Sequence, residues 1–344
     1  MKILVVRRDN IGDLVCTTPL FRALREKYAD ARIDALVNSY NSPVLTHNPD
    51  LDHVFFYTKA KHRGAGQSMF GVYWQRIALM WSLRRTQYDY VILTGGGNRA
   101  RLLRLTRWIA PESVIGFWPE TGRYPGIDLG VPTDRQQRHE VENTFRLLQP
   151  LGIVGTPPRL RLEPNPAEKL RASQVLAREP WFDAAKPVVA IHISARKVPQ
   201  RWPAERFSEL MRRLHAVHGC QFMLFWSPGD ENNPLHPGDD RKAVAIMKAT
   251  AGLPVLAFPT GQLGDLIGGL SLCSAMVCSD GGAMHVGAGL GLPIVCFFGN
   301  SDAAKWHPWG VPHEILQKPS RDVNDIGVAE AAEAFARLAT LIQS

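Results

Sequence analysis

Apolar strand-like runs alternate with helical runs along the whole chain, and this alternation constrains the fold more than any single motif. In the first half KILVV leads into the helical CTTPLFRALREKY and then RIDALV, and YDYVILT, RARLLRLTRWIA and SVIGF repeat the order. In the second half KPVVAIHIS, AERFSELMRRLHAVHG, CQFMLFW, LPVLAF, GQLGDLIGGLSLC, AMVCSD, GGAMHVGAGLG and PIVCFFG form another such series. Short, continuous β-branched runs mark parallel strands buried on both faces, and intervening helices supply the crossovers such strands require. Between the two series, the stretch 155–187 opens with the proline-rich GTPPRLRLEPNP and is the candidate linker. The expected fold is α/β: two Rossmann-like domains with parallel sheets, residues 1–163 and 164–327, facing one another across a cleft. A last helix over 328–344 is expected to pack across their junction.

Open α/β sheets bind ligands at the carboxyl ends of their strands, so the chemistry is sought there. RRDNIGDLVCTTP follows the first strand and puts Asp13 near the start of a helix whose apolar positions include Leu14, Leu20, Phe21 and Leu24. A helix cap accounts for Asp13 at that position as well as a ligand role does. In SDGGAMHVGAGLGLP, residues 279–293, Gly281 and Gly282 present bare backbone N–H groups at a helix N-terminus, a ready anion site. Packing explains the glycines but not Asp280 at the strand end or His285 one turn into the helix. SARKVPQRWPAERF, residues 194–207, brings Arg196, Lys197 and Arg201 after another strand. Three cations opposite a glycine-rich helix end suit a diphosphate; a basic surface loop is the plainer alternative. FFGNSDAAKWHPWG adds Asn300, Ser301 and Asp302 after a further strand.

The net charge of +8 lies wholly in the first half, where 23 lysines and arginines face 15 acids in residues 1–163, against 17 of each in 164–344. Arg84, Arg85, Arg99, Arg101, Arg104 and Arg107 have only Asp89 among them. That cluster fits phosphate, carboxylate or an anionic membrane surface, and equally a solvated helix face. Nucleic acid is disfavoured, because no interleaved aromatics or binding motif accompany the arginines. GGGNRA, residues 95–100, is a weak dinucleotide signal because it does not follow the first strand. His215 and His218 lack a third metal ligand nearby. No P-loop and no G-x-S-x-G are present. The five cysteines are odd in number and several sit in apolar strands, which predicts reduced core thiols. With no run of roughly 20 apolar residues and no secretory pattern at the N-terminus, the protein is expected to be cytoplasmic.

Taken in order, RRDNIGDLVCTTP, QRWPAERF, SDGGAMHVGAGLGLP and FFGNSDAAKWHPW resemble glycosyltransferase family 9, the ADP-heptose:lipopolysaccharide heptosyltransferases, over nearly the whole chain. The resemblance implies a GT-B fold with an N-terminal acceptor domain and a C-terminal nucleotide-sugar domain. It implies an inverting, metal-independent transfer of heptose from ADP-heptose to a lipopolysaccharide core acceptor, with Asp13 as general base. The donor site expected on this basis comprises Ser194, Lys197, Gln200, Arg201, Glu231, Asp280, Gly281, Gly282 and His285, and the acceptor site Arg8, Asn10, Gly12, Arg99, Arg101 and Arg104. Expected partners are the nucleotide sugar, an acidic glycolipid and, peripherally, the cytoplasmic face of the inner membrane, with no cofactor or metal. Two positions depart from the family pattern: Gly281 stands where Ser or Thr is common, and Gln200 where a phosphate-binding lysine is usual, leaving Lys197 or Arg201 to replace it. A GT-B enzyme using another nucleotide sugar, a sugar-nucleotide epimerase and a non-catalytic binder of anionic glycolipid are the alternatives.

Overall fold

The structure is a computed structural model that describes residues 1–57, 69–95, 99–233 and 237–343, with the backbone alone at 57, 69–73, 75, 99 and 341–343. The chain divides into two compact units, Met1–Glu163 and Pro164–Ser344. In the first, β1 (Lys2–Val6), β2 (Arg32–Asn38), β3 (His53–Tyr57), β4 (Tyr90–Leu93), β5 (Ser113–Trp118) and β6 (Leu129–Pro132) form one sheet in the order β3-β2-β1-β4-β5-β6. Every pairing is parallel; Val6 at the end of β1 stands beside Leu36 of β2 and Leu93 of β4. The helices are α1 (Ile11–Val15), α2 (Thr18–Lys27), α3 (Met69–Thr86), α4 (Arg99–Ile109) and α5 (Glu140–Phe145). Leu4 and Val6 pack with Leu83 of α3 and Leu102 and Leu103 of α4 in one apolar cluster on the sheet.

The second unit opens with α6 (Pro166–Ala177) and carries β7 (Val188–His192), α7 (Ala204–His218), β8 (Gln221–Trp226), α8 (Asp240–Ala249), β9 (Val255–Pro259) and α9 (Leu263–Leu270). It continues with β10 (Ala275–Ser279), α10 (Gly282–Gly289), β11 (Ile294–Phe298), α11 (Ala303–Trp306), β12 (His313–Gln317) and α12 (Val328–Gln343). Its sheet runs β12-β11-β10-β7-β8-β9. Counted within each unit, both sheets have the strand order 3-2-1-4-5-6 or its mirror reading, with the first strand central, as in the Rossmann arrangement. In each, the strand order reverses beside the first strand, between β1 and β4 and between β7 and β10. Ligands of open α/β sheets bind outside the strand ends at that reversal.

Several expectations are refined. The single helix read after the first strand is two, because the Thr17 and Thr18 hydroxyls donate back to the carbonyls of Asp13 (2.9 Å) and Val15 (2.8 Å) and Pro19 has no N–H to continue the ladder. Three outer strands, β3, β6 and β12, are additional to those expected; β6 is the short LGVP, whose proline is tolerated at a sheet edge. The candidate linker is largely folded. Leu160 and Leu162 are buried and the Arg161 N–H donates to Thr18 Oγ1, while Asn165 caps α6 by accepting from the Ala167 N–H. Helix α6 lies so close to α9 that a Cβ at Gly268 would meet the Glu168 carbonyl at 2.9 Å. Helix α12 contributes Ala331, Ala334, Phe335 and Leu338 to the core of the second unit, beside Leu214 of α7 and Leu316 of β12. All five cysteines are buried and none forms a disulfide. Among the described residues, no helix is long and apolar enough to cross a membrane.

Candidate active site

At the strand-order reversal of the first sheet, the chain leaves β1 into Arg7, which is 2% exposed. A guanidinium is tolerated in an interior only when its charge and donors are matched. Arg7 Nη1 donates to the Thr94 carbonyl at the end of β4 (2.6 Å), and Nη2 donates to Asp13 Oδ1 (2.8 Å) and Glu140 Oε1 (2.9 Å). Its Nε pairs with Asp9 Oδ2 at 3.3 Å. Burial works to lower the guanidinium pKa, but the nearby carboxylates of Glu140, Asp13 and Asp9 outweigh it and raise the pKa above its ordinary value.

Asp13 is both a cap and a presented carboxylate. It occupies the third position of α1, where Oδ2 accepts from the Asn10 backbone N–H and from Asn10 Nδ2, each at 3.0 Å. Oδ1 takes Arg7, and the side chain remains 16% exposed. The backbone of this loop is pinned from the end of β2. Asn38 Nδ2 donates to the Arg8 carbonyl (2.8 Å), and Tyr40 Oη and Asn41 Nδ2 donate to that of Asp9. Gly95, which opens the GGG run after β4, lies against Asp9: an added Cβ would stand 2.7 Å from its Oδ2. The motifs after the first and fourth strands therefore meet at one edge.

Of the expected acceptor residues, Asn10 is exposed but its side-chain amide is engaged by Asp13, Arg8 is half-buried, and Gly12 is buried inside α1. Arg101 and Arg104 stand exposed on α4. The Arg99 side chain lies outside the described residues, as do Gly96 and Gly97. Sequence reasoning did not select Arg7 or Glu140 for the site. An arginine ending a buried strand beside two acids was a signal for the first; nothing local pointed to Glu140, 133 residues away.

In the second sheet the segments after β7 and β10, beside the strand-order reversal, carry the expected donor residues except Glu231, which follows β8. After β7, residues Val198–Gln200 form a 3₁₀ turn with Lys197 at its cap, and Gln200 is only 5% exposed. Gln200 Nε2 donates to Asp280 Oδ2 at the end of β10 (2.8 Å) and to Ser301 Oγ after β11 (2.6 Å), so three strand-end loops are tied at one amide. Gly299 allows this approach, since a Cβ there would meet the Pro199 carbonyl oxygen at 2.2 Å. Burial raises the Asp280 carboxyl above the ordinary range, opposed by Ser301, Lys197 and Gln200. Gly281 precedes α10 in open space, where an added Cβ would meet nothing within 4 Å. The backbone there does not demand glycine, so the missing hydroxyl reflects only the missing side chain. Gly282 begins α10, and Gly287 permits its close packing, because a Cβ would meet Met276 Sδ at 2.6 Å.

Lys197 is exposed, whereas Arg201 is half-buried with Nε donating to the Ala195 carbonyl at 2.9 Å. Trp202 is structural: buried, it donates through Nε1 to the Ile326 carbonyl and packs edge-on to Phe207. Ser194 Oγ accepts from the Ser227 N–H (2.9 Å), joining the loops after β7 and β8. Glu231 is exposed and pairs with Arg241 at 2.9 Å. His285 is 3% exposed, with its ring 5.9 Å from that of Trp306 and roughly perpendicular to it. Lys242 of α8 is a cation sequence reasoning missed. Its Nζ donates to the Ile193 carbonyl at 2.9 Å, and burial pushes its pKa down to about 8. Among the described residues, no three His, Cys, Asp or Glu side chains are grouped as metal ligands would be.

Residues 76–327 match the family model of glycosyltransferase family 9 (heptosyltransferase). The chain is 26% identical over 351 residues to lipopolysaccharide heptosyltransferase 3 of Escherichia coli, covering 97% of each protein. It is also 26% identical to lipopolysaccharide heptosyltransferase 2 of Escherichia coli K12, over 88% of this chain and 83% of that one. A solved glycosyltransferase family 9 protein from Veillonella parvula superposes with a TM-score of 0.82 at 20% identity, over 100% of this chain and 98% of that one. The Escherichia coli heptosyltransferase WaaC with ADP does so at 0.76 and 19%, over 98% and 100%. The two Rossmann-like units are thus those of a GT-B glycosyltransferase, and the chain belongs to glycosyltransferase family 9.

Proposed function

We propose that the protein transfers heptose from ADP-heptose to an acidic lipopolysaccharide core acceptor, with inversion and without a metal ion, and that Asp13 is the general base. The observation that carries this reading is the Asp13 carboxylate, oriented through both oxygens at the strand-order reversal of the first sheet and still open to solvent. In the transfer, Asp13 accepts the proton of the acceptor hydroxyl as that oxygen attacks the anomeric carbon. The bond from that carbon to the donor phosphate breaks with its electron pair leaving on ADP. Backbone N–H groups at Gly281 and Gly282, with Lys197 and Arg201, offset the charge developing on the diphosphate. Ser194, Gln200, Asp280 and His285 shape the same loops, and Glu231 meets the ribose. The acceptor is met at the loop and helix start that carry Arg8, Asn10 and Gly12 and by Arg101 and Arg104 of α4, with Arg99 the remaining expected contact. Relatives named as lipopolysaccharide heptosyltransferases along nearly the full chain support the donor and acceptor classes. An acceptor of that kind puts the enzyme at the cytoplasmic face of the inner membrane.

The test is Asp13→Asn, which keeps size and capping but removes the base. Transfer should fall by about 10² to 10⁴ while ADP affinity stays at the wild-type value. Retention of most of the activity would leave Asp13 as a cap only. ADP should stabilise the protein in EDTA and outperform GDP and UDP in thermal-shift assays; a strict Mg²⁺ or Mn²⁺ requirement would overturn the account of the leaving group.

A further inference from the structure

We propose that Arg7 and Glu140 act together as positioning residues for Asp13, fixing the direction of its carboxylate and limiting the share of positive charge it receives. The inference rests on the reading of Asp13 as the base. A carboxylate offers about four acceptor directions. In Asp13 three are taken: Oδ1 by Arg7 Nη2, and Oδ2 by the backbone and side-chain N–H groups of Asn10. The fourth remains for an acceptor hydroxyl, on a side chain whose rotation is blocked from both oxygens.

An arginine paired with one carboxylate favours the ionised form and so weakens it as a proton acceptor. Arg7 is not paired with one. The same Nη2 that holds Asp13 at 2.8 Å holds Glu140 at 2.9 Å, and Nε faces Asp9 at 3.3 Å. One positive charge is divided among three anions, in a place where Arg7 is almost wholly removed from water. A further titratable neighbour among the described residues is Cys16, just past α1. Burial and the nearby Glu140 push its thiol far above the ordinary range, so it adds no charge. Glu140 reaches the cluster because the short helix α5 begins there, under a capping box in which Glu142 accepts from the His139 N–H at 3.0 Å. Thr144, one turn on, accepts from Arg7 Nη1 at 3.4 Å. Neither Arg7 nor Glu140 needs to touch substrate to do this.

Glu140→Gln tests the idea, since it keeps the shape and an acceptor oxygen for Arg7 but removes one competing anion. Arg7 then bears more fully on Asp13. The expected result is a kcat lowered about tenfold, an unchanged donor KM, and an acid limb of the kcat profile displaced to lower pH. A residue that merely supported the fold would lower thermal stability without moving the pH profile. In an Asp13→Asn background Glu140→Gln should have no further effect on kcat, because effects of groups acting through one another do not add. An active Asp13→Asn variant would remove the general-base reading itself. An inactive Asp13→Asn beside a Glu140→Gln enzyme of wild-type kcat and pH profile would remove this inference alone. Should Glu140→Gln fail to fold, Arg7→Lys keeps the charge but loses the two-sided fork. It must then lower kcat with ADP affinity unchanged; wild-type kcat would overturn the proposal.

Discussion

Gln200 donates its side-chain N–H to Asp280 Oδ2 at 2.8 Å, so a neutral amide holds together the loops after β7 and β10 where the family pattern has a lysine. The Asp280 carboxyl thereby meets an amide in place of a cation; Lys197 acts on it as a positive charge, and burial keeps its pKa raised. On the proposed reading the donor diphosphate lies at the same loops, and an amide alone serves a carboxyl and a diphosphate poorly.

Gln200→Lys should therefore tighten ADP binding. The ammonium would meet both Asp280 and the diphosphate, and a charge-assisted hydrogen bond is worth roughly 1 kcal/mol more than a neutral one, which is about fivefold in Kd. Isothermal titration checks it. Unchanged or weaker binding would mean that Lys197 and Arg201 already supply what the missing lysine would.

The buried His192 at the end of β7 sets a different expectation, for stability against pH. Burial, reinforced by Lys242, pushes its imidazole down to about 4, and its Nδ1 has no hydrogen-bond partner among the described residues. Between the ordinary value of 6.5 and about 4 the unfolded chain binds a proton that the folded one refuses. Stability is thus unaffected above pH 7 and is lost as pH falls through that window, by roughly 3 kcal/mol at its lower end. His192→Leu should lose less stability between about pH 7 and pH 4.5 than the wild type, as read by urea denaturation at the two pH values. Parallel losses in both proteins would refute the assignment.

The parallel sheets are legible in the sequence because buried strands such as KILVV and PIVCFF are apolar throughout, and such runs need no tertiary context to be recognised. The half-exposed outer strands β3, β6 and β12 lack that pattern. Asp13, Asp280 and the 194–201 loop are legible because they directly follow strand ends. Glu140 and Lys242 are not, since each reaches its site from a helix far along the chain, and a long-range contact leaves no periodic trace. In the sequence Gln200 is only an absent cation; its role in tying three loops together depends on Gly299 and Ser301 arriving from another strand.

The positive surplus of residues 1–163 leads to an expectation about salt. Arg84 is not free for an acceptor, because its Nη1 donates to the Trp108 carbonyl at 2.6 Å. Arg101 and Arg104 are exposed on the first turns of α4, which follows β4, and Gly95, just past β4, lies against Asp9 in the loop carrying Asp13. An acidic glycolipid bound there would meet exposed charges, which are screened over a Debye length of about 8 Å at physiological ionic strength. Donor binding as proposed rests in part on the backbone N–H donors of Gly281 and Gly282 and on the half-buried Arg201, which salt screens less. Acceptor KM should consequently rise more steeply with ionic strength than donor KM. An Arg101→Glu, Arg104→Glu double variant should raise acceptor KM about tenfold or more, since reversing two contacts worth roughly 0.2–1 kcal/mol each replaces attraction by repulsion. Its donor KM and thermal stability should match the wild type. Steady-state kinetics with a lipopolysaccharide core precursor at about 50 and 300 mM NaCl makes the comparison. Equal salt dependence for both substrates, or normal acceptor kinetics in the double variant, would assign these arginines to solvent.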